Sequence, residues 1–100
     1  MNIEKKQEGS QVIFILEGRL DTTTSPKLED ELKKFLNEGI TRLVFDFASL
    51  EYLSSAGLRI LLATQKYLLK KQGEMIVRNV NETVAEIFDV TGFTDILTIE

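Results

Sequence analysis

Residues 43–59 read LVFDFASLEYLSSAGLR and join a strand to a helix. The almost unbroken apolar run at 43–47 predicts an interior strand. Ser54 or Ser55 then caps a long helix, which extends to about Gln72 and is stopped by the glycine that follows. The first N–H groups of a helix have no partners within the helix, so this strand-to-helix junction favours an attached or bound anion.

Strands and helices alternate on both sides of this junction. Residues 2–7 and 11–18 are predicted strands joined by a short turn, and Ser25 followed by Pro26 is typical of an N-cap and first residue of a helix. The other predicted boundaries are the end of that helix at Gly39, a strand at 75–77, a helix from Asn81 to Gly92 and a strand at 96–99. The order β-β-α-β-α-β-α-β predicts an α/β fold with a largely parallel sheet.

Two expectations concern the covering of this sheet and the position of its loops. The run 12–16 is apolar throughout, which predicts a strand covered on both faces. Loops that follow parallel strands leave the same edge of a sheet, so loops 18–25, 48–55 and 79–81 are expected to lie together. They carry polar side chains suited to modification or binding, namely Asp21, Thr22, Thr23, Thr24, Ser49, Ser54, Ser55, Asn79 and Asn81.

Composition excludes several classes of function. The chain has no histidine and no cysteine, so it can form neither a Ser-His-Asp triad nor an imidazole or thiolate metal site. A net charge of −4 argues against a nucleic-acid partner. Residues 1–6 lack the apolar core of a signal peptide, and no apolar run is long enough to cross a bilayer. We therefore expect a cytoplasmic protein with no membrane insertion, no cofactor and no enzymatic activity.

The serine pair at the junction has two interpretations. A phosphate on Ser55 would be stabilised by the helix N-terminus, while Ala56 and Gly57 would leave the first turn open to a loop of another protein. Serine is also among the commonest N-cap residues, so the pair fits helix capping alone. The residues themselves leave both interpretations open.

Other side chains near the junction also carry alternatives. Arg59 fits a pairing with a partner's acid or with a phosphate, and equally a solvated helix charge. Ile60, Ala63 and Tyr67 lie off the main apolar stripe of the helix, so they mark either a partner surface or packing beneath a loop or tail. Asp46 lies inside an apolar strand, and we expect it to accept hydrogen bonds from backbone donors of a neighbouring loop.

The segment 52–59 resembles the phosphorylation loop of the STAS family, and specifically of bacterial anti-sigma factor antagonists, which carry Asp-Ser-Ser/Thr-Gly-Leu after an aromatic residue and a methionine or leucine. Ser55 matches the phosphorylated serine. Residues 18–21 with Thr24, residues 43–49 and residues 88–93 resemble three further family segments in the same order. Two positions depart from the pattern, because Ser54 replaces the family's aspartate and Ala56 replaces its second hydroxyl residue. Ser54 is therefore an alternative phosphorylation site.

The resemblance implies one STAS domain over residues 1–100, with a four- to five-stranded mixed sheet, an antiparallel N-terminal strand and three to four helices. It implies an anti-sigma factor antagonist that binds an anti-sigma factor with serine kinase activity, is switched off by phosphorylation of Ser55 and is reset by a serine phosphatase. ATP belongs to the kinase. The partner-binding residues implied in this way, with Asp21 either meeting the partner or serving as a turn residue, are Asp21, Thr24, Ser54, Ser55, Ala56, Gly57, Leu58 and Arg59.

Two alternatives remain beside this interpretation. Ser54 in place of the aspartate favours a STAS interaction module that works without phosphorylation, in a transporter, stress-signalling or lipid-transport assembly. Residues 44–47 also faintly resemble the phosphoacceptor strand of a response-regulator receiver. A receiver needs an acidic pair after its first strand to hold magnesium, and no such pair follows Leu16 or Leu20.

Overall fold

The structure is a computed structural model that describes residues 1–100. Its elements follow the predicted order, with one additional 3-10 turn before the last strand. They are β1 (Asn2–Glu8), β2 (Gln11–Leu20), α1 (Ser25–Leu36), β3 (Arg42–Leu53), α2 (Ser55–Lys70), β4 (Glu74–Arg78), α3 (Glu82–Thr91), the 3-10 turn (Phe93–Asp95) and β5 (Thr98–Ile99). None of the helices is both long enough and apolar enough to span a membrane.

The five strands form one sheet in the order β1-β2-β3-β4-β5. β1 pairs antiparallel with β2, and every other neighbouring pair is parallel, so the predicted mixed sheet is confirmed. Since successive strands are neighbours and the crossovers are right-handed, all three helices lie on one face. The core cluster accordingly combines alternate strand residues, such as Phe14 and Phe45, with Leu28 of α1, Leu61 of α2 and Phe88 of α3.

The opposite face of the sheet carries no helix, which corrects one prediction. On β2, Phe14 and Leu16 are fully buried beneath the helices, whereas Ile13 and Ile15 are only partly buried. The prediction of a strand covered on both faces is therefore wrong. The apolar residues on the helix-free face pack beside Val44 of the next strand.

β3 is longer than the apolar run at 43–47 indicated. It continues to Leu53 beside β2 and has one extra residue relative to β2 at each of two register shifts. At the first shift the Asp46 carboxylate accepts hydrogen bonds from the Ala48 N–H (3.0 Å) and from the Asn79 amide (3.1 Å). Asp46 thus accepts from a backbone donor as expected, but that donor lies in β3 itself, and the neighbouring loop contributes only the Asn79 side chain. The expected loop at 48–53 is strand.

The length of β3 also separates the loops that were expected to meet. β4 ends at Arg78, which lies opposite Asp46 in the middle of β3. Loop 79–81 therefore lies beside the middle of β3, where the Asn81 amide donates to the carbonyl oxygens of Phe47 (3.1 Å) and Leu50 (2.7 Å). Only the loops that follow β2 and β3 share the far end of the sheet.

Most helix boundaries agree with the predicted caps. Ser54 and Asn81 are the N-caps of α2 and α3, and Gly92 ends α3 in a left-handed conformation. The prediction for α1 is wrong at both ends: Thr24 is its N-cap and Ser25 is its buried first residue, and the helix ends at Leu36, before the predicted stop at Gly39. At the C-terminus, the 3-10 turn extends up to the predicted last strand and shortens it to two residues.

Candidate functional site

The loop between β2 and α1 is held by a compact hydrogen-bond network. Asp21 Oδ1 accepts from the N–H groups of Thr23 (3.0 Å) and Thr24 (3.1 Å). The Thr24 hydroxyl donates to the Arg19 carbonyl oxygen (2.8 Å) and accepts from the Asp21 N–H (2.9 Å). The Thr24 N–H above all, then the Thr23 N–H, the Thr24 hydroxyl and the nearby Arg19 charge hold the pKa of Asp21 below its ordinary value. Asp21 and Thr24 therefore shape their own loop.

The two serines at the start of α2 have different environments. Ser54 donates its N–H to the Leu20 carbonyl oxygen (2.9 Å), and its own carbonyl oxygen accepts from the Leu58 N–H (2.9 Å). Its hydroxyl accepts from the Gly57 N–H as the helix cap (3.5 Å). Ser55 is exposed, and its hydroxyl makes no hydrogen bond. The accessible hydroxyl at this junction is that of Ser55.

Two of the predicted partner-binding residues belong to the core instead. A Cβ placed on Gly57 would lie 2.7 Å from Leu53 Cδ1 and 2.8 Å from Leu20 Cγ. Leu58 is only 7% exposed and belongs to the core cluster. The expectation that Gly57 leaves the first turn open is therefore wrong, because leucines of β2 and β3 fill the space beside it.

The last two predicted partner-binding residues, Ala56 and Arg59, lie on the side of α2 that faces α1. Arg59 is exposed and Ala56 is partly buried, and both line an open groove of about 400 Å³ between α1 and α2. The same groove is lined by Thr22, one of the polar loop residues noted in the sequence, and by Ser25 and Glu29, which no sequence pattern marked as site residues. Their position depends on how α1 packs against α2, and periodicity within one helix does not report that.

The edge beside the loops also contains an arginine–aromatic pair. The Arg19 guanidinium carbon lies 4.4 Å from the centre of the Tyr52 ring, which holds a positive charge on the surface near the serines. No three His, Cys, Asp or Glu side chains lie close enough together to hold a metal ion. The groups that this surface offers are hydroxyls, guanidinium ions and a carboxylate already bonded within its loop, which suits binding and modification.

Comparison with known proteins identifies the class to which this fold and surface belong. The family model of the STAS domain matches residues 2–100, so the chain belongs to the STAS domain family. It is 32% identical to a putative anti-sigma factor antagonist, BtrV, of Bordetella bronchiseptica, over 99% of this chain and 85% of that protein. It is 28% identical to the anti-sigma-B factor antagonist of Listeria monocytogenes, over 100% of this chain and 90% of that protein.

Solved structures agree with this assignment of the fold. The anti-sigma factor antagonist SpoIIAA in its unphosphorylated form superimposes with a TM-score of 0.86 at 19% identity, over 99% of this chain and 88% of that one. A putative anti-sigma factor antagonist from Thermotoga maritima gives a TM-score of 0.90 at 18% identity, over 97% and 84%. The STAS fold predicted from the sequence is confirmed.

Proposed function

We propose that this protein is an anti-sigma factor antagonist whose unmodified form binds an anti-sigma factor and whose phosphorylation at Ser55 releases it. The observation that carries the proposal is the exposed, unbonded hydroxyl of Ser55 at the first position of α2. The relatives that match nearly the whole chain are named as anti-sigma factor antagonists, which supports this role. SpoIIAA is known in both a phosphorylated and an unphosphorylated form.

Geometry favours Ser55 over Ser54 as the modified residue. The Ser54 hydroxyl caps α2, and its backbone groups bond to β2 and to α2, so a kinase would have to open the junction to reach it. Ser55 needs no such opening. A phosphate on Ser55 also lies beside the N–H groups of the first helical turn, which carry no intrahelical partners.

The effect of the phosphate follows from charge. Phosphorylation adds about −1.5 to −2 charges to a protein that already carries −4. Desolvating such a group in an interface, or placing it beside like charges, costs several kcal/mol, and each ~1.4 kcal/mol weakens binding tenfold. One phosphate is therefore sufficient to turn tight binding into weak binding without a change of fold.

The proposal includes the remaining components of the switch. The anti-sigma factor is itself the serine kinase and supplies the ATP site, a serine phosphatase restores the unmodified form, and this chain needs no cofactor. Such a cycle operates in the bacterial cytoplasm. The surface offered to the partner consists of Ser55, Ala56, Arg59 and the outer side of the β2–α1 loop.

The test begins with the tagged protein recovered from its native host, read by mass spectrometry for phosphosites and co-purified proteins. The isolated kinase is then incubated with ATP and either Ser55→Ala or its matched control Ser54→Ala. We expect Ser55→Ala to accept no phosphate and Ser54→Ala to accept it. Phosphate that persists in Ser55→Ala, or a Ser55→Asp variant that binds the partner as tightly as the unmodified protein, would contradict the proposal.

A second candidate function rests on Ser54 in place of the family's aspartate. Without an acid before Ser55, the chain fits a STAS interaction module that is never phosphorylated. Absence of phosphate across growth conditions, together with a co-purified transporter, stress-signalling or lipid-transport assembly, would favour this function.

A further inference from the structure

A continuous groove runs between α1 and α2 on the helix-covered side of the molecule. Its N-terminal end, about 400 Å³, lies beside the β2–α1 loop, and its C-terminal end, about 250 Å³, reaches Tyr67. The two ends share Glu29, Ile60 and Ala63, so they form one surface, here called the α1–α2 groove. Ile60, Ala63 and Tyr67 are thus the apolar residues that the sequence placed off the main stripe of α2.

The N-terminal end of the α1–α2 groove contains a buried hydroxyl without a partner. Ser25 lines this end and is only 4% exposed, yet its Oγ makes no hydrogen bond within the protein. Buried polar groups are almost always paired, because an unpaired one loses its bonds to water without replacement. The Oγ itself has less than 1 Å² of accessible surface, so it lies just behind the wall of the groove and reaches a ligand there only if the Ser25 side chain changes rotamer.

Arg59 provides a second unpaired group at the same end. It is one of four arginines in the chain. Arg42 pairs with Glu74, Arg78 lies 3.6 Å from Glu100, and Arg19 lies over Tyr52. Arg59 alone contacts neither an acid nor a ring, although it lines the α1–α2 groove. A carboxylate can only accept hydrogen bonds, so a guanidinium ion and a hydroxyl that both donate suit it as a ligand.

The electrostatic surroundings favour the same ligand. Both α1 and α2 begin at this end of the groove, so the positive ends of both helix dipoles face it. The single acid on the wall, Glu29, lies 3.9 Å from the Lys33 ammonium group, which partly offsets its charge. Ile60 and Ala63 form the floor of the groove and offer apolar contact to side chains that adjoin the ligand's carboxylate.

We propose that the N-terminal end of the α1–α2 groove receives an acidic side chain of the protein partner, with Arg59 donating to its carboxylate and the Ser25 hydroxyl joining it after a change of rotamer. Apolar side chains next to that acid lie on Ile60 and Ala63. The identity of the partner as an anti-sigma factor rests on the proposed function, whereas the carboxylate site rests on the groove itself. The site is continuous with the exposed face of Ser55 through Ala56 and Arg59.

This placement also gives the Ser55 switch a mechanism. Ser55 and Arg59 are four residues apart on one helix, so their side chains are neighbours on its surface. A phosphate on Ser55 attracts the Arg59 guanidinium and places negative charge at the mouth of the groove. The partner's carboxylate then loses its counter-ion and is repelled. Exchange of one anion for another at Arg59 therefore releases the partner.

The carboxylate site is tested with acetate as the probe, so that no partner is required. Sodium acetate is titrated into the ¹⁵N-labelled protein at pH 7 against sodium chloride of equal ionic strength. We expect saturable shifts of the Ser25 amide and the Arg59 side-chain N–H with acetate only. Arg59→Gln should weaken acetate binding about tenfold or more, and Ser25→Ala about threefold without lowering Tm. Lys66→Gln removes the same charge from exposed α2 outside the groove and should change nothing.

Each alternative outcome contradicts the proposal. Equal shifts with chloride, or an Arg59→Gln variant that binds acetate as the unmodified protein does, would show that no carboxylate site exists. Once the partner is in hand, Arg59→Gln should weaken its binding and reduce the further loss caused by Ser55→Asp. If Arg59→Gln left the affinity for the partner unchanged, the proposed docking of the partner's carboxylate at Arg59 would be wrong. Failure of the phosphorylation experiment leaves the acetate result unaffected, so the two failures are distinguishable.

Discussion

Within one helical turn, the β3–α2 junction separates residues that hold the fold from residues that face a partner. Gly57 and Leu58 pack against β2 and β3, whereas Ser55 and Arg59 are exposed. This division follows from helix geometry, because residues four apart share a face and those in between point elsewhere. Substitutions of the first pair should change stability, and substitutions of the second pair should change binding.

Gly57→Ala should therefore destabilise the protein. The added methyl group would lie 2.7 Å from Leu53 Cδ1 and 2.8 Å from Leu20 Cγ, so α2 has to shift or the leucines have to leave their rotamers. We expect a loss of about 1–3 kcal/mol in the free energy of unfolding, measured by urea denaturation. Ser55→Ala, in the same turn but exposed, is the control and should cost little. A Gly57→Ala variant as stable as this control would contradict the close packing.

Asp21 should make the stability of the protein depend on pH. Its pKa in the folded state lies below the ordinary value of 3.8, chiefly because of the Thr24 N–H hydrogen bond. The ionised carboxylate therefore stabilises the fold above the unfolded-state pKa, and this contribution is lost as the pH falls through the folded-state pKa. Asp21→Asn should be less stable than the unmodified protein at neutral pH, and the difference should shrink below about pH 3.8.

Tm measured from pH 7 to pH 2 checks this prediction. The pKa of Glu31 is also lowered, chiefly by its hydrogen bond from Lys5, so acid destabilises both proteins and only their difference reports Asp21. Asp30→Asn, an exposed acid on α1, should give no such difference. A gap between Asp21→Asn and the unmodified protein that stays constant across this range would rule out the carboxylate network as its cause.

At the scale of elements, β3 shows which features of the fold can be predicted from the sequence. Helix caps such as Ser54 and Asn81 act locally, so the residues themselves disclose them. Along β3 the buried residues after Phe47 are Leu50 and Leu53, a spacing of three that does not match the alternation of a strand. The register shifts against β2 cause this spacing, and they depend on the neighbouring strand.

In the candidate site, too, residues placed by local sequence could be predicted, whereas residues placed by distant neighbours could not. Ser55 was predictable because its position follows from a local helix start, and Gly57 was misassigned because its neighbours come from two distant strands. The α1–α2 groove could not be derived from either helix alone. Ser25 lines this groove as the first residue of α1, whereas its sequence pattern placed it one position before the helix.

Asn81 connects α3 to the middle of β3 and should be the most sensitive polar residue outside the site. Its amide donates to Phe47 and Leu50, and its oxygen caps α3 by accepting from the Val84 N–H (3.0 Å). Asn81→Ala removes the cap and both hydrogen bonds to β3, at a cost of about 2–4 kcal/mol. Asn81→Ser keeps a capping oxygen and should recover part of that loss.

Chemical denaturation of both variants provides the measurement. Asn37→Ala, at the exposed end of α1, is the control and should stay close to the unmodified protein. Equal stability of Asn81→Ala and Asn37→Ala would mean that α3 is held by its apolar contacts, such as those of Phe88, without the bridge to β3.

At the scale of the whole molecule, strand order and function are connected. Because the strands follow chain order, α1 and α2 are adjacent crossovers on one face, and the groove between them lies next to the ends of β2 and β3. The same order leaves the other face without helices and away from the serine junction. All the groups proposed to bind a partner therefore belong to one side and one end of a rigid sheet, and a charge added there need not alter the fold.

Ser55→Asp should accordingly separate stability from binding. The new carboxylate lies in the first turn of α2, where the helix dipole favours negative charge by about 0.3–1 kcal/mol. Tm should stay the same or rise slightly, and amide NMR shifts should change only near the junction. Binding to the anti-sigma factor should nevertheless fall at least tenfold, while Ser55→Ala keeps both properties. If Ser55→Asp lost partner binding and also lowered Tm, the added charge would be acting by disrupting the fold. That outcome would contradict a switch that works by charge alone.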